Sequence, residues 1–198
     1  MVDITIRGAG IFGLSIAWAC LCRGARIQIV DPLGPGACCS GGLVGALAPH
    51  VPEYLNANKA FQLESLWMAE AFWSEIKETS GMDPGYIRSG RLQPVADDGG
   101  LDLAKRRAET AAALWAGKAT WRIEPHSADP WMPRSPTGWV IRDTLSALVH
   151  PRYAIKALIA ALRSREVSVV AEGPDRGAVV WATGVAGLDA LSTERSRS

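Results

Sequence analysis

The sequence predicts an α/β fold built on a parallel β-sheet. The first thirty-one residues carry the pattern: an apolar run over residues 4–6, a glycine-rich turn, an Ala-rich segment with helical spacing, and a second apolar run over residues 27–30. Strand, turn, helix and strand in this order form a βαβ unit, which is the building block of parallel sheets. We therefore expect a Rossmann-like arrangement of strands and helices.

The turn between the first strand and the first helix has the spacing Gly8, Gly10 and Gly13, with Ile11 and Phe12 between the last two glycines. The first glycine permits a tight turn, the second removes a Cβ that would keep a pyrophosphate off the backbone, and the third lets the helix pack close to the strands. The helix N-terminus then offers free N–H groups and the positive end of its dipole to phosphate. The pattern indicates a dinucleotide-binding site.

Asp31 follows the second strand, about 20 residues beyond the glycines, where a carboxylate accepts hydrogen bonds from the adenosine ribose hydroxyls. Its negative charge would repel a 2′-phosphate. The sequence therefore predicts FAD or NAD rather than NADP. The alternative interpretation is a glycine-rich turn in some other α/β protein, because glycine turns are common.

Composition argues against several classes of function. The chain has 198 residues, 48% of them hydrophobic, and a formal net charge of +1, which gives no electrostatic footprint for nucleic acid or an anionic membrane. No uncharged apolar run reaches the ~18 residues of a membrane span, and the chain starts directly in a core strand rather than in a secretory signal. We expect a cytoplasmic protein with a small-molecule partner.

Cysteine and histidine spacing does not predict a metal site. Cys20 and Cys22 point to different sides of a helix, and the adjacent Cys38 and Cys39 lack a CxxC spacing. We expect four reduced thiols, buried as small hydrophobic side chains. The three histidines lie far apart in sequence, with no acidic or cysteine partner at ligand spacing.

A segment of small residues over positions 37–49 suits a backbone that lies flat against a ligand, and Ser40 offers it a hydroxyl. Together with the glycine turn and Asp31, the Leu47-Ala48-Pro49 end of this segment resembles the FAD-dependent oxidoreductases of the D-amino-acid oxidase and glycine oxidase superfamily. A second likeness is the apolar strand ending in Ala182-Thr183-Gly184, which is similar to the second flavin signature of that family.

The resemblance implies FAD as the cofactor. It implies a Rossmann-like FAD-binding domain of the glutathione-reductase type, with part of an α+β substrate domain. By this likeness, residues 40–42 neighbour the phosphates, residues 45–47 the flavin ring, and Val170 the adenine through backbone groups. The implied cofactor-binding residues are Gly8, Gly10, Ile11, Phe12, Gly13, Asp31, Pro32, Ser40, Gly41, Gly42, Gly45, Ala46, Leu47, Val170, Ala182, Thr183 and Gly184.

Periodicity predicts helices over residues 11–23, 58–79, 101–115 and 151–163. Strands are expected over residues 120–124, 138–142, 167–170 and 178–184, the last of which ends in Ala-Thr-Gly. An extended segment is expected over residues 86–95, broken at Ser89 and Gly90. We predict that residues 1–80 and 151–191 form a discontinuous FAD-binding domain and that residues 81–150 form a partial substrate or cap domain. Residues 192–198 are predicted to form a disordered tail.

The resemblance implies oxidation of the C–N bond of a small amine or amino acid by hydride transfer to the flavin. It covers only about the first half of a family member, and the family's substrate-clamping arginine and glycine-rich closing segment have no match here. No catalytic acid or base is assigned. One alternative is an inactive nucleotide-binding fragment, or one subunit of a split flavoenzyme whose second chain supplies the C-terminal half. Another is an NAD-dependent Rossmann enzyme, disfavoured by the Leu-Ala-Pro and Ala-Thr-Gly segments.

Overall fold

The computed structural model describes residues 1–195. Five helices and nine strands lie in that range, and a turn of 3₁₀ helix, Cys39–Gly41 (the 39–41 turn), precedes the third strand. In chain order the elements are β1 Ile4–Arg7, α1 Ile11–Cys22, β2 Ile27–Val30, β3 Gly45–Leu47, α2 Ala57–Ser80, β4 Arg91–Pro94, α3 Asp98–Trp115, β5 Trp121–Pro125, β6 Trp139–Asp143, β7 Ala147–Val149, α4 Pro151–Arg163, β8 Val169–Val170, β9 Ala178–Trp181 and α5 Gly184–Arg195.

These elements group into two compact units. The first unit comprises Met1–Gly45, Trp73–Gly85 and His150–Ser198, and the second comprises Ala46–Phe72 and Tyr86–Val149. This division departs from the predicted domain bounds over residues 46–72, which the sequence placed with the first domain. They group with the second unit because β3 pairs with β7 and because Leu66 of α2 lies in the core of that unit.

The first unit is built on a four-stranded sheet in the order β8-β2-β1-β9. All three pairings are parallel, so the α/β class with a parallel sheet is confirmed. Ile6 and Thr5 on opposite faces of β1 are both fully buried. Thr5 Oγ1 donates to the carbonyl of Arg176 at 2.8 Å and accepts from its N–H at 2.9 Å, which satisfies the buried hydroxyl.

Helices α1 and α4 of the first unit pack against each other. Helix α1 buries Leu14, Ala17 and Trp18, as the helical spacing predicts, and Gly24 follows its end with a φ of +83°. Helix α4 begins at Pro151, and His150 caps it by accepting from the Tyr153 N–H, so this histidine has a structural role.

The second unit holds an antiparallel sheet in the order β4-β6-β5 and the separate pair β3-β7. Trp115 of α3 and Trp121 of β5 meet edge to face, with ring centroids 6.2 Å apart. Both tryptophans are buried, in a cluster that includes Leu66, Ile141 and Leu145. Aromatic packing accounts for their burial.

Most predicted helices and strands lie within a residue or two of the observed ones. Helix α3 begins three residues early because the Asp97 side chain caps it, accepting from the Gly100 N–H at 2.7 Å. Strand β8 is two residues shorter than predicted, since the Val167 N–H instead bonds to the Leu162 carbonyl at the end of α4. The short strands β3 and β7 were not predicted.

The prediction of a disordered tail over residues 192–198 is wrong for residues 192–195, which continue helix α5. Leu191, Glu194 and Arg195 have high helix propensity, and the Ser192 hydroxyl donates back to the Asp189 carbonyl at 3.0 Å. Residues 196–198 lie outside the described residues.

None of the helices in the described part of the chain combines the length and the hydropathy that a membrane span requires. The four cysteines, Cys20, Cys22, Cys38 and Cys39, are free. Three are exposed and Cys20 is half-buried, so the expected burial of the thiols is wrong. The reason is position: Cys38 and Cys39 lie in the surface turn that precedes β3.

The N-cap of α3 gives a test of local stability. Replacing Asp97 with Ala removes the acceptor for the Gly100 N–H, and we expect the free energy of unfolding to fall by about 1 kcal/mol. Urea denaturation measures this change. The matched control is Asp102→Ala on the same helix, because its exposed pairing with Lys105 is worth about 0–1 kcal/mol. An equal loss in both variants would contradict a capping role.

Candidate functional site

The carboxyl ends of β1 and β9 and the start of α1 make close backbone contact in the first unit. The Ala182 N–H donates to the Arg7 carbonyl at 2.7 Å. A Cβ on Gly8, whose φ is +107°, would lie 2.3 Å from the Ala182 carbonyl oxygen, and one on Gly13 would lie 1.8 Å from the Gly8 carbonyl oxygen. Only glycine fits these two positions, which is the packing that the motif predicts.

Ser40 lies beside Ile11, the first residue of helix α1. Its Oγ accepts from the Ile11 N–H at 2.9 Å, and a Cβ on Gly10 would lie 3.0 Å from the same oxygen. The Gly36 N–H donates to the Ala9 carbonyl at 3.0 Å, which holds the segment before Ser40 against the glycine turn. The segment around Ser40, predicted to neighbour the phosphates, is therefore adjacent to the glycine turn.

Asp31 connects the end of β2 to the glycine turn. One carboxylate oxygen accepts from the Ala9 N–H at 2.7 Å and the other from the Leu33 N–H at 2.9 Å. Because an ionised carboxylate has about four acceptor positions, it retains capacity for ribose hydroxyls. The contact with Ala9 was not predicted. The contact with Leu33 has a sequence signal, since Asp before Pro favours a turn in which the side chain accepts from the backbone two residues on.

Val170 lies beside Asp31 at the sheet edge, because the Asp31 N–H donates to the Val170 carbonyl at 2.9 Å. This carbonyl already has one donor in the sheet, so a further partner would use its second lone pair. The predicted ribose and adenine positions therefore lie at neighbouring strand ends.

The remaining predicted site residues fall into two groups. The first unit holds Phe12, which is 77% exposed on α1, together with Pro32, Gly41, Gly42, Gly45, Thr183 and Gly184. Ala46 and Leu47 belong to β3 in the second unit. The first unit by itself thus brings together the glycine turn, Asp31, Ser40, Val170 and residues 182–184.

The residues of the first unit fit the adenine and pyrophosphate end of a dinucleotide. Gly10 has an extended backbone conformation and presents no side chain at the start of α1, and the first helical turn contains no acidic residue. A diphosphate placed there would meet N–H groups and the positive end of the helix dipole. Asp31 would supply the acceptor for ribose at the neighbouring strand end.

Arg152, in the first turn of α4, was not predicted as a site residue. Its Nε donates to the Gly41 carbonyl at 2.9 Å, so it holds the 39–41 turn beside α1. A cation in the first turn of a helix is electrostatically unfavourable, because it faces the positive end of the helix dipole. An arginine at this position is therefore a sequence signal that its side chain has another partner.

His50 lies in the second unit, beside a small pocket. Its backbone N–H donates to Gln62 Oε1 at 2.8 Å, and the pocket is also lined by Lys59, Glu53 and Trp115. Glu53 pairs with the Arg107 guanidinium, and its carbonyl accepts from Lys59 Nζ. These contacts account for the charges at the pocket, so we assign it no chemistry.

Comparison with known proteins identifies a family. The family model described as "DAO: FAD dependent oxidoreductase" matches residues 3–196. Among curated proteins, the bifunctional protein ThiO/ThiG of Trichormus variabilis is 29% identical over 121 residues, which is 59% of this chain and 18% of that protein.

Solved structures share the fold. Glycine oxidase from Geobacillus kaustophilus has a TM-score of 0.72 and 18% identity, over 92% of this chain and 55% of that one. Iminodiacetate oxidase from Chelativorans sp. BNC1 has a TM-score of 0.73 and 19% identity, over 96% and 57%. L-Amino acid deaminase from Proteus myxofaciens has a TM-score of 0.73 and 19% identity, over 93% and 46%. The chain therefore spans about half the length of these structures.

Two glycine variants separate packing from ligand approach. Gly13→Ala places a methyl group against the Gly8 backbone, and we expect the free energy of unfolding to fall by about 1–3 kcal/mol or more. Gly10→Ala meets only the Ser40 side chain, which can shift by a few tenths of an ångström, so we expect its free energy of unfolding to fall by less than about 1 kcal/mol. Its affinity for FAD should nevertheless fall, because the methyl group lies where the pyrophosphate approaches.

Urea denaturation and a fluorescence titration with FAD measure these two effects on the same protein samples. A Gly10→Ala variant as unstable as Gly13→Ala, or one that binds FAD like the unmodified chain, would contradict the assignment.

Proposed function

Because the chain belongs to the DAO family of FAD-dependent oxidoreductases, we propose that its first unit binds the adenine and pyrophosphate end of FAD in an enzyme that oxidises the C–N bond of a small amine or amino acid. The observation that carries the proposal is the meeting of Asp31, Ser40 and the glycine turn at the start of α1. An acceptor for ribose and a site for phosphate are adjacent there.

Each part of the proposed site has a separate task. The start of α1, half-buried at Gly10, receives the negative charge of the pyrophosphate, and Ser40, Gly41 and Gly42 border it. Asp31 accepts from the ribose hydroxyls, with Pro32 beside it, and Val170 borders the adenine with its backbone. We assign Gly45, Ala182, Thr183 and Gly184, all in the first unit, to the flavin side.

FAD, when bound, supplies the hydride acceptor for the oxidation. The described residues of this chain bind and orient the cofactor, and we assign none of them as a catalytic acid or base. The names of the similar proteins support a substrate class, because they specify glycine, iminodiacetate and L-amino acids. All of these are small amino or imino acids. We propose the same class here.

A second candidate function is that of a nucleotide-binding chain that needs a further polypeptide to catalyse. The observation that favours it is that the first unit brings together the residues for the adenine and pyrophosphate end, while no described residue is assigned as a catalytic acid or base. In this case a second chain would supply the flavin and substrate contacts that complete the site.

We also place the protein in the cytoplasm. The four free cysteines support this proposal, because oxidising compartments favour disulfide formation and reducing ones keep thiols free.

The first test is a titration of the purified chain with FAD, with NAD as a comparison, followed by visible absorption. We expect FAD binding, and we expect Asp31→Ala to weaken it about ten- to a hundredfold, the cost of losing hydrogen bonds to a charged group. Asp3→Ala is the matched control, because Asp3 precedes β1 at the opposite end of the sheet, where it pairs with Arg26.

The second step adds glycine, iminodiacetate and a panel of D- and L-amino acids without oxygen. Bleaching of the flavin absorbance supports the proposed oxidation. Binding of FAD without bleaching by any of these substrates favours the second candidate function. A chain that binds no FAD, or an Asp31→Ala variant that binds it unchanged, refutes the proposed site.

A further inference from the structure

The geometry points to Arg152 as a positioning residue for the pyrophosphate end of the site, an inference that rests on the FAD binding proposed above. Its Nε donates to the Gly41 carbonyl at 2.9 Å, across more than a hundred residues of sequence. Gly41 ends the 39–41 turn, and Ser40 in the middle of that turn bonds to the start of α1. Arg152 thus fixes the turn that carries the site's hydroxyl.

The turn is held from two sides. On one side Ser40 accepts from the Ile11 N–H at 2.9 Å, in contact with α1. On the other side α4 supplies Arg152 and Ile155, which are three residues apart and therefore share one face of the helix. Ile155 packs under Gly36, where an added Cβ would lie 3.2 Å from Ile155 Cγ2. The segment from Gly36 to Gly41 therefore packs against helix α4.

A polar bond matters here because the turn has little buried surface of its own. Cys38, Cys39 and Gly42 are all exposed, and no residue of the 39–41 turn is buried. Its internal hydrogen bonds run from the Gly41 N–H to Cys38 and from the Gly42 N–H to Cys39. Segments with few buried contacts and exposed hydrogen bonds open readily. The bond from Arg152 opposes that opening.

The role resides in the Nε donor rather than in the positive charge. In glutamine the side-chain nitrogen is the same number of bonds from Cα as Nε is in arginine. Arg152→Gln therefore keeps a donor for the Gly41 carbonyl while it removes the charge, and Arg152→Ala removes both. Lys156→Ala is the matched control, because Lys156 is an exposed cation one turn further along the same helix.

The experiment measures hydrogen exchange over residues 37–44 in the chain without FAD, and FAD affinity by fluorescence. We expect Arg152→Ala to speed exchange of the Gly41 and Gly42 amides about three- to tenfold and to weaken FAD binding by a similar factor, the usual worth of one hydrogen bond. Arg152→Gln and Lys156→Ala should stay within about twofold of the unmodified chain in both measurements.

Two results would overturn the inference. Unchanged exchange in Arg152→Ala would show that the bond does not hold the turn. Equal losses of affinity in Arg152→Gln and Arg152→Ala would assign the effect to charge. An unmodified chain that fails to bind FAD would refute the proposed function. Because hydrogen exchange needs no cofactor, the exchange rates of Arg152→Ala would still show whether the bond holds the turn.

Discussion

The contact on which the first unit depends is the approach of helix α1 to the ends of strands β1 and β9. It exists because Gly8 and Gly13 have no Cβ, so that backbone meets backbone where any side chain would collide. The first turn of α1 then lies next to Gly10 at the carboxyl edge of the sheet, where its N–H groups have no partners within the helix and the Ile11 N–H bonds to Ser40. Asp31, Ser40 and Val170 reach the same edge because parallel strands and their following loops end together.

Hydrogen bonds between loops then fix this edge without a ligand. The Asp31 carboxylate accepts hydrogen bonds from the Ala9 and Leu33 N–H groups, and the Ser40 hydroxyl accepts one from the Ile11 N–H. Arg152 donates to the Gly41 carbonyl. Groups already held in place lose less conformational entropy when a ligand arrives, which favours binding. The carboxylate that we propose for the ribose hydroxyls also stabilises the glycine turn that we propose for the phosphate.

Local patterns in the sequence predicted the βαβ unit, the glycine turn and most helices within a residue or two, because apolar periodicity and glycine spacing act over short distances. They did not predict β3 and β7, whose three residues each form a strand only by pairing with one another across a hundred residues. Arg152 was missed for a related reason. Its partner is the carbonyl of Gly41, and no short-range pattern specifies which distant backbone atom a surface arginine meets.

The order of strands in the first sheet has a consequence for synthesis of the chain on the ribosome. Central strand β1 contains Ile4, yet its partner β9 begins at Ala178, and both flank the site at Gly8. The pairing cannot form before Trp181 has left the exit tunnel, whereas the last segment of the second unit already ends at Val149. Of the two units, the one that begins first along the chain is therefore the one completed later, and until then its glycine turn lacks Ala182 to pack against.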